Sequence, residues 1–552
     1  MVSLQFSYTF FSRLVGKTLE PEELEYILNS LGIELEKLED NTIKVSLEPG
    51  RPDLYCGAVG IARAVKLYLE LEQPKKYSCR PASYEVQVSP EVEAFRPYTA
   101  WAVAKGAEID EEVLEELKLE QEQLASLLGR KRRKFSIGIY PLRCIAWPVK
   151  FVMKRPEEIV FTPLEFSTQL NAKEILTYHP KGKEYGYLLS GLSKYPVFED
   201  SLGRILSLVP IINSEEAGKV VPGDRDIAIE VTGINEYYVQ KALDILCCNL
   251  QDLGAEIYSV RVIYQRRKVT TPVLSCSTVR CSREEIERTL GLELSVKELL
   301  QLLRKMGHEV LFEDGELEVR APPYRVDIFE VRDIIEDVAI AYGYDNFEPQ
   351  LPKHFTVGEL SFVTKVQKKV RELLTFLGYC EAMTFALTNL ADQYSKMRLE
   401  VPAWAPKIEN AAEKQLNTVR SWILPELLKF LFCNKAKEYP IKVFDVDYVV
   451  VPADTETGYT NCLHAALLIS DYTVSYTQIR QAVEYLLDRL GVQYSLTAYE
   501  HPSFIEGRCA AVLVREQVVG FLGELHPEVL VNFGLEKPVA AAELNLSKIF
   551  NL

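Results

Sequence analysis

No stretch of the chain is apolar over the ~18 residues that a membrane-crossing helix needs. Its first residues, MVSLQFSYTFFSRLVGKTL, carry neither a basic leader nor the apolar segment of a secretory signal. Membrane insertion and secretion are therefore not expected, and a cytoplasmic location is. The 11 cysteines show no metal-ligand spacing, and Cys247 and Cys248 are adjacent, as on a buried helix. Reduced, structural thiols are the expectation. Positive charge is scarce: 63 Lys and Arg stand against 79 Asp and Glu, a net charge of −16. The surface as a whole will not attract nucleic acid, so any RNA contact must use a local basic patch or a more basic partner. There is no G-x-S-x-G elbow and no convincing Cys/His pair, which disfavours a covalent catalytic triad. No long window has a disordered composition.

What is present is a chain of 552 residues, 47% of them apolar, too long for one core; about three to five domains are expected. An internal repeat organises it. Residues 16–54 (GKTLEPEELEYILNSLGIELEKLEDNTIKVSLEPGRPDL) and 291–328 (GLELSVKELLQLLRKMGHEVLFEDGELEVRAPPYRVDI) share one plan. Each opens with an amphipathic helix; in the second copy Val296, Leu299, Leu300, Leu303 and Met306 form its apolar stripe. Each helix stops at a glycine, Gly32 or Gly307, suited to a left-handed C-terminal position. A strand pair follows, turned at EDN or EDG, and then Arg-x-Asp: Arg51 and Asp53, or Arg325 and Asp327.

Beyond that point the copies diverge. YRVDIFEVRDIIEDVAIAYGY, residues 324–344, holds five carboxylates. Asp333, Glu336 and Asp337 fall opposite Val59, Ala62 and Arg63 of the first copy, so the fold unit does not require them. On a helix they share one edge at i, i+3 and i+4, while Ile334, Ile335, Val338, Ala339, Ala341 and Tyr342 face the core. With Asp327 from the preceding loop, four carboxylates can converge. Oxygen-only ligands suit Mg²⁺ or Ca²⁺; the alternative is an acidic helix start in solvent, favoured by the helix dipole.

The region 85–268 carries its own signals. RKRRK at 130–134 is either a solvated loop or a phosphate contact made by Arg130, Lys131, Arg132 and Arg133. HPKGKEYG, with His179, Lys181 and Lys183, is either only a turn or a turn that approaches a phosphate or ribose. SLVPIINS ends an apolar strand in Asn213 and Ser214. In IAIEVTG, Glu230 and Thr232 share one strand face. Ester hydrolysis needs polar groups to orient the ester and a water over an apolar floor, and Asn213, Glu230 and Thr232 can supply them. The alternative is a solvent-facing strand edge. From 351 to 552, the helix VTKVQKKVRELLTFLGY and alternating strands such as IKVFDVDYVVV predict an α+β core on an antiparallel sheet.

GRPDLYCGAVGIARAV, YHPKGKEYGYLL, IAIEVTGIN, PPYRVDIFEVRDIIEDVAIAYGYDNFEP, GYCEAMTF and HPSFIEGRCAAVLV, in this order along the chain, resemble the β subunits of phenylalanyl-tRNA synthetases in their short archaeal and eukaryotic form. The resemblance covers almost the whole chain. It implies four domains: an N-terminal module (1–84), a central tRNA-editing α/β module (85–268), a metal-binding repeat of the first (269–350) and a class II synthetase-like core that no longer activates amino acids (351–552). It implies Mg²⁺ on Asp327, Asp333, Glu336 and Asp337, and hydrolysis of mischarged Tyr-tRNA by the central module. It also implies an α-subunit partner in an α2β2 tetramer with tRNA(Phe), with ATP and phenylalanine bound on α. Arg420 stands where class II enzymes place an arginine-bearing motif, though an ion-pair role competes; His501 and His526, each in an HP turn, read as capping residues. Pro222 and Gly223 depart from the threonine-rich turn common in the family, which leaves the pocket rim open. A lone metal-dependent hydrolase and a non-catalytic scaffold are the alternatives.

Overall fold

A computed structural model describes residues 1–552 apart from Asp314 and Lys353. The expected turn EDG contains Asp314, which lies outside the described residues. The chain divides into two compact units, Met1–Leu351 and Pro352–Leu552, and is α+β throughout.

The repeat in the first unit is longer than the sequence suggests. Strand Val2–Ser7 and helix Tyr8–Val15 correspond to strand Ser277–Ser282 and helix Arg283–Leu290. In both, a serine caps the helix: Ser7 accepts from the Phe10 amide and Ser282 from the Glu285 amide. In both, a glycine at positive φ ends it, Gly16 at +79° and Gly291 at +69°. The three-stranded sheets have the same order, with the third strand, Thr42–Leu47 or Glu316–Ala321, in the middle. The first copy turns at Asp40 and Asn41, both at positive φ, the geometry a two-residue hairpin needs. Leu299, Leu303 and Met306 of the predicted stripe are buried; each such side chain contributes roughly 1.5–3 kcal/mol.

Between the copies runs one ten-stranded mixed sheet. Strand Ile212–Asn213 begins its order and strand Phe135–Pro141 ends it; Ile227–Gly233 lies beside the latter. These two ends approach each other. Asn213 Nδ2 donates to the Ile139 carbonyl at 3.1 Å, and the Tyr140 hydroxyl donates to Ser207 Oγ at 2.8 Å, Ser207 lying on the strand next to Ile212–Asn213. The sheet thus curls into a nearly closed barrel, and its seam is crossed by side chains.

In the second unit, a seven-stranded sheet is antiparallel except for the short edge strand Cys380–Glu381. The pleat divides its core. Ala465 and Leu467 face helices Phe362–Phe376 and Tyr476–Arg489, while Ala466 and Leu468 face helix Leu424–Asn434. Val366, Val370, Leu373 and Leu374 bury the expected face of the first of these helices.

Candidate functional site

A cavity of about 390 Å³ opens at the barrel seam. Ile137 and Ile139 line it from one side of the seam, and Leu208, Ile211 and Asn213 from the other. Glu230 reaches it from the neighbouring strand. In the ladder Glu230 stands opposite Gly138, where a Cβ would meet its Oε1 at 2.7 Å, so the glycine makes the room its carboxyl occupies. Glu230 is only 3% exposed, and its Oε2 has no hydrogen-bond partner. Burial pushes the carboxyl up to about 8, against the opposing pull of the Arg96 guanidinium. Burial thus favours the neutral acid, able both to donate and to accept. An alternating strand shows which face Glu230 occupies but not how dry that face is.

Asn213 and Glu230 therefore share the cavity. Asn213 gives one amide hydrogen to the Ile139 carbonyl, and its oxygen is left as an acceptor. Gly218 makes room for it, since a Cβ there would lie 2.4 Å from the Asn213 Cβ. Thr232 lies on the same strand face as Glu230 but does not line the cavity. Its side chain accepts from Arg96 Nε at 3.2 Å and lies 3.2 Å from Ser136 Oγ, while Arg96 also donates to the Thr232 carbonyl at 2.7 Å. It belongs to a buried support behind Glu230. Arg96, Gly138 and Gly218 were missed in the sequence; the glycines in FSIGIY and SEEAGKV were the signals to be read.

The basic run does not act as one patch. Arg130, Lys131 and Arg133 are exposed, whereas the Arg132 side chain is turned inward, 12% exposed, and lines the cavity. His179 is no ribose ligand either. It is buried, its Nδ1 accepts from the Lys181 amide as the cap of helix Pro180–Tyr185, and its Nε2–H faces the Leu164 carbonyl at 3.1 Å. Lys181 instead pairs with Glu122 at the cavity wall.

The four acids of the second repeat are placed differently from one another. Asp337 is buried: Arg325 Nη1 lies 2.8 Å from its Oδ2, and the His308 ring 2.5 Å from it. Burial holds His308 below its ordinary range although Asp337 pulls it up, so the ring is neutral with its Nε2–H donated to the carboxylate. Asp327 takes the other side of Arg325 at 2.8 Å. Burial works against the Asp337 charge, but Arg325 and His308 overcome it and hold the carboxyl well below the usual range. Asp333 caps its own helix, accepting from the amides of Phe329 at 2.6 Å and Glu330 at 2.9 Å. Glu336 is exposed. Among the described residues no three His, Cys, Asp or Glu side chains are grouped to hold a metal ion. The four carboxylates do not converge on one point in this structure. Two members neutralise a buried arginine, the third serves backbone amides, and the fourth stands alone.

Comparison with known proteins decides the family. The model of the phenylalanyl tRNA synthetase beta chain CLM domain matches residues 347–546, and that of the tRNA synthetase B5 domain residues 279–344. The chain is 34% identical to the phenylalanine–tRNA ligase beta subunit of Pyrococcus horikoshii over 100% of both chains. It is 36% identical to that of Archaeoglobus fulgidus over 98% of this chain and 97% of that one. The chain belongs to the phenylalanine–tRNA ligase β-subunit family. A crystal structure of an N-terminal fragment of the Pyrococcus horikoshii phenylalanyl-tRNA synthetase beta subunit superposes with a TM-score of 0.60 at 35% identity, covering 62% of this chain and 99% of the fragment.

For a ligase β subunit, the second unit is notable for an internal arginine. Arg420 is fully buried, donating to the Tyr448 carbonyl at 2.9 Å and Thr384 Oγ1 at 2.7 Å, and pairing with Asp447 at 2.5 Å and Asp445 at 3.3 Å. Its guanidinium is used up by the fold. His501 and His526 accept from the amides of Ser503 and Glu528, as turn and cap residues. No described helix is long and apolar enough to cross a membrane.

Proposed function

We propose that the seam cavity of this ligase β subunit hydrolyses the ester of a mischarged tRNA, tyrosine on tRNA(Phe). One observation carries the reading: a buried carboxyl with an unpartnered oxygen, Glu230, stands in an otherwise largely apolar cavity. A tyrosyl ring lies on the aliphatic walls and its phenol pairs with Glu230. A phenylalanyl ring leaves that group unpaired at a penalty of about 1–3 kcal/mol. An apolar synthetic site rejects one extra hydroxyl only about a hundredfold, so a second site that rewards the hydroxyl supplies the missing discrimination. The Asn213 oxygen is placed to orient the amino group or the attacking water, and Arg96 with Thr232 supports the strand beneath Glu230.

The rest of the holoenzyme belongs to the same reading. The partner is the α subunit, in an α2β2 assembly, with ATP, phenylalanine and the activation chemistry on α. The second unit, with a class II synthetase-like fold, presents Met383 and Phe385 at 91% and 85% exposure, apolar surface that a protein partner would cover. The exposed Arg130, Lys131 and Arg133 serve as phosphate contacts for the tRNA. Mg²⁺ on the four acids has no part in this reading.

The test is deacylation of preformed Tyr-tRNA(Phe) and Phe-tRNA(Phe) by the α/β enzyme. Wild type should clear the tyrosyl ester preferentially, and Glu230→Ala should lose that preference while phenylalanine charging is unchanged. No deacylation by wild type would reduce the cavity to a structural void.

A further inference from the structure

The barrel seam has one fastener unlike the others. Strand Phe135–Pro141 is reached through a turn in which Arg130, Lys131 and Arg132 stand at φ of +49°, +53° and +61°. Three successive non-glycine residues in the left-handed region are disfavoured, yet backbone bonds lock the turn. The Lys131 amide donates to the Ser126 carbonyl at 2.8 Å and the Arg132 amide to the Ala125 carbonyl at 2.9 Å. The result of the turn is the aim of Arg132. Its Nη1 crosses the seam to the carbonyls of Pro210 (3.1 Å) and Ile211 (2.9 Å), and its Nη2 meets both oxygens of Glu122 at 3.1 and 3.2 Å. The guanidinium lies over the Tyr185 ring, 4.1 Å from its centroid. Glu122 also takes Lys181, so one carboxylate balances two cations at the cavity wall.

We propose that Arg132 is the positioning residue of the seam cavity: it holds the Pro210–Asn213 segment at a set distance from Glu230, and so places Asn213 for the reaction. The proposal rests on the hydrolytic reading above for its kinetic consequences, but not for its structural one. A lysine cannot replace this residue. The planar fork reaches two carbonyls with one nitrogen and a carboxylate with the other, whereas an ammonium is a single point. Arg132 differs in kind from its neighbours Arg130, Lys131 and Arg133: its Nη1 and Nη2 are taken by carbonyls and a carboxylate, and its Nε, which has no partner, is buried, so little is left for a phosphate. The effect on rate follows from geometry, because a displacement of about 1 Å in a positioned group can lower a rate about a hundredfold.

The experiment uses the α/β enzyme with Arg132→Ala and Arg132→Lys, and Arg133→Ala as the exposed control. Hydrogen exchange across Val209–Ser214 reads the position directly and needs no catalysis. Both Arg132 variants should raise exchange there about tenfold or more, while exchange in strand Ile227–Gly233 stays as in wild type. With Tyr-tRNA(Phe), Arg132→Ala should lower kcat about ten- to a hundredfold with KM near wild type, and millimolar guanidinium should restore part of the loss. Arg133→Ala should instead raise KM and reduce the salt dependence of tRNA binding by about one phosphate contact, a slope change near 0.7–0.9. Unchanged exchange at Val209–Ser214 in Arg132→Ala overturns the proposal, whatever the kinetics. So does an Arg132→Ala enzyme that matches Arg133→Ala, with KM raised and kcat intact. A wild type that deacylates nothing defeats the hydrolytic reading alone, and the exchange data still decide the position of the segment.

Discussion

Glu230 has an effect on stability that is independent of any substrate. Its folded value of about 8 lies above its ordinary value of 4.5. Between these two the unfolded chain has released a proton that the folded chain retains, so stability falls as pH rises across that window. The full effect is on the order of a few kcal/mol. Glu230→Gln, neutral at every pH, should therefore unfold at nearly the wild-type midpoint at pH 5 and at a higher one at pH 8. Parallel pH profiles in the two proteins would show that Glu230 is not held neutral. The acids of the second repeat separate in the same kind of assay. Asp337→Asn removes one of the two carboxylates that pair with the buried Arg325, and the partner of His308, and should cost about 1–3 kcal/mol. Asp333→Asn weakens a helix cap, about 1 kcal/mol, and Glu336→Gln should fall within about 0.5 kcal/mol of wild type. A shared Mg²⁺ would instead make the three losses similar and make them vanish in chelator; chemical denaturation with and without chelator distinguishes the two.

At the scale of elements, the seam matters most, and Gly138 is its narrowest place. A Cβ there meets Glu230 Oε1 and the Tyr140 hydroxyl, both at 2.7 Å, so Gly138→Ala should displace the carboxyl. Overpacking of this kind costs about 1–3 kcal/mol, and the preference for Tyr-tRNA should fall with it. Normal deacylation by a stable Gly138→Ala enzyme would place the acceptor elsewhere. Much of this level was legible in advance. The repeat, its glycine stops, the apolar faces of helices 296–305 and 362–376, and the strand face shared by Glu230 and Thr232 all follow from periodicity, which is local. The cavity was legible only in part. Asn213 and Glu230 were recognisable as polar residues in apolar runs, but SLVPIINS folds as two short paired strands, Ile205–Leu208 and Ile212–Asn213, rather than the one expected, and the meeting of Asn213 with Glu230 depends on the two ends of a ten-stranded sheet curling together. The acids misled for the same reason. A helical wheel puts Asp337 at a polar edge, and only the fold brings Arg325 from a loop and His308 from beyond Gly307 to bury it. Arg132 was hidden in a uniform basic run, because nothing in RKRRK distinguishes the one residue whose backbone turns it inward.

For the whole molecule, the proposed function divides activation and proofreading between chains. Arg420 is bound by Asp445, Asp447, Thr384 and the Tyr448 carbonyl, which leaves no free guanidinium for an ATP phosphate. The purified β chain should form no phenylalanyl-adenylate, and Arg420→Ala should appear as a stability loss; adenylate formation by β alone in a pyrophosphate-exchange assay would contradict this. The remaining question is whether Glu230 acts as a neutral hydrogen-bonding group or as a charge. It is answered most directly by the ratio of Tyr-tRNA(Phe) to Phe-tRNA(Phe) deacylation in wild type, Glu230→Gln and Glu230→Ala. A neutral, donating and accepting side chain predicts that the glutamine variant keeps most of the preference for the tyrosyl ester and the alanine variant loses it. A glutamine variant as indiscriminate as alanine, or an alanine variant as selective as wild type, would contradict the account.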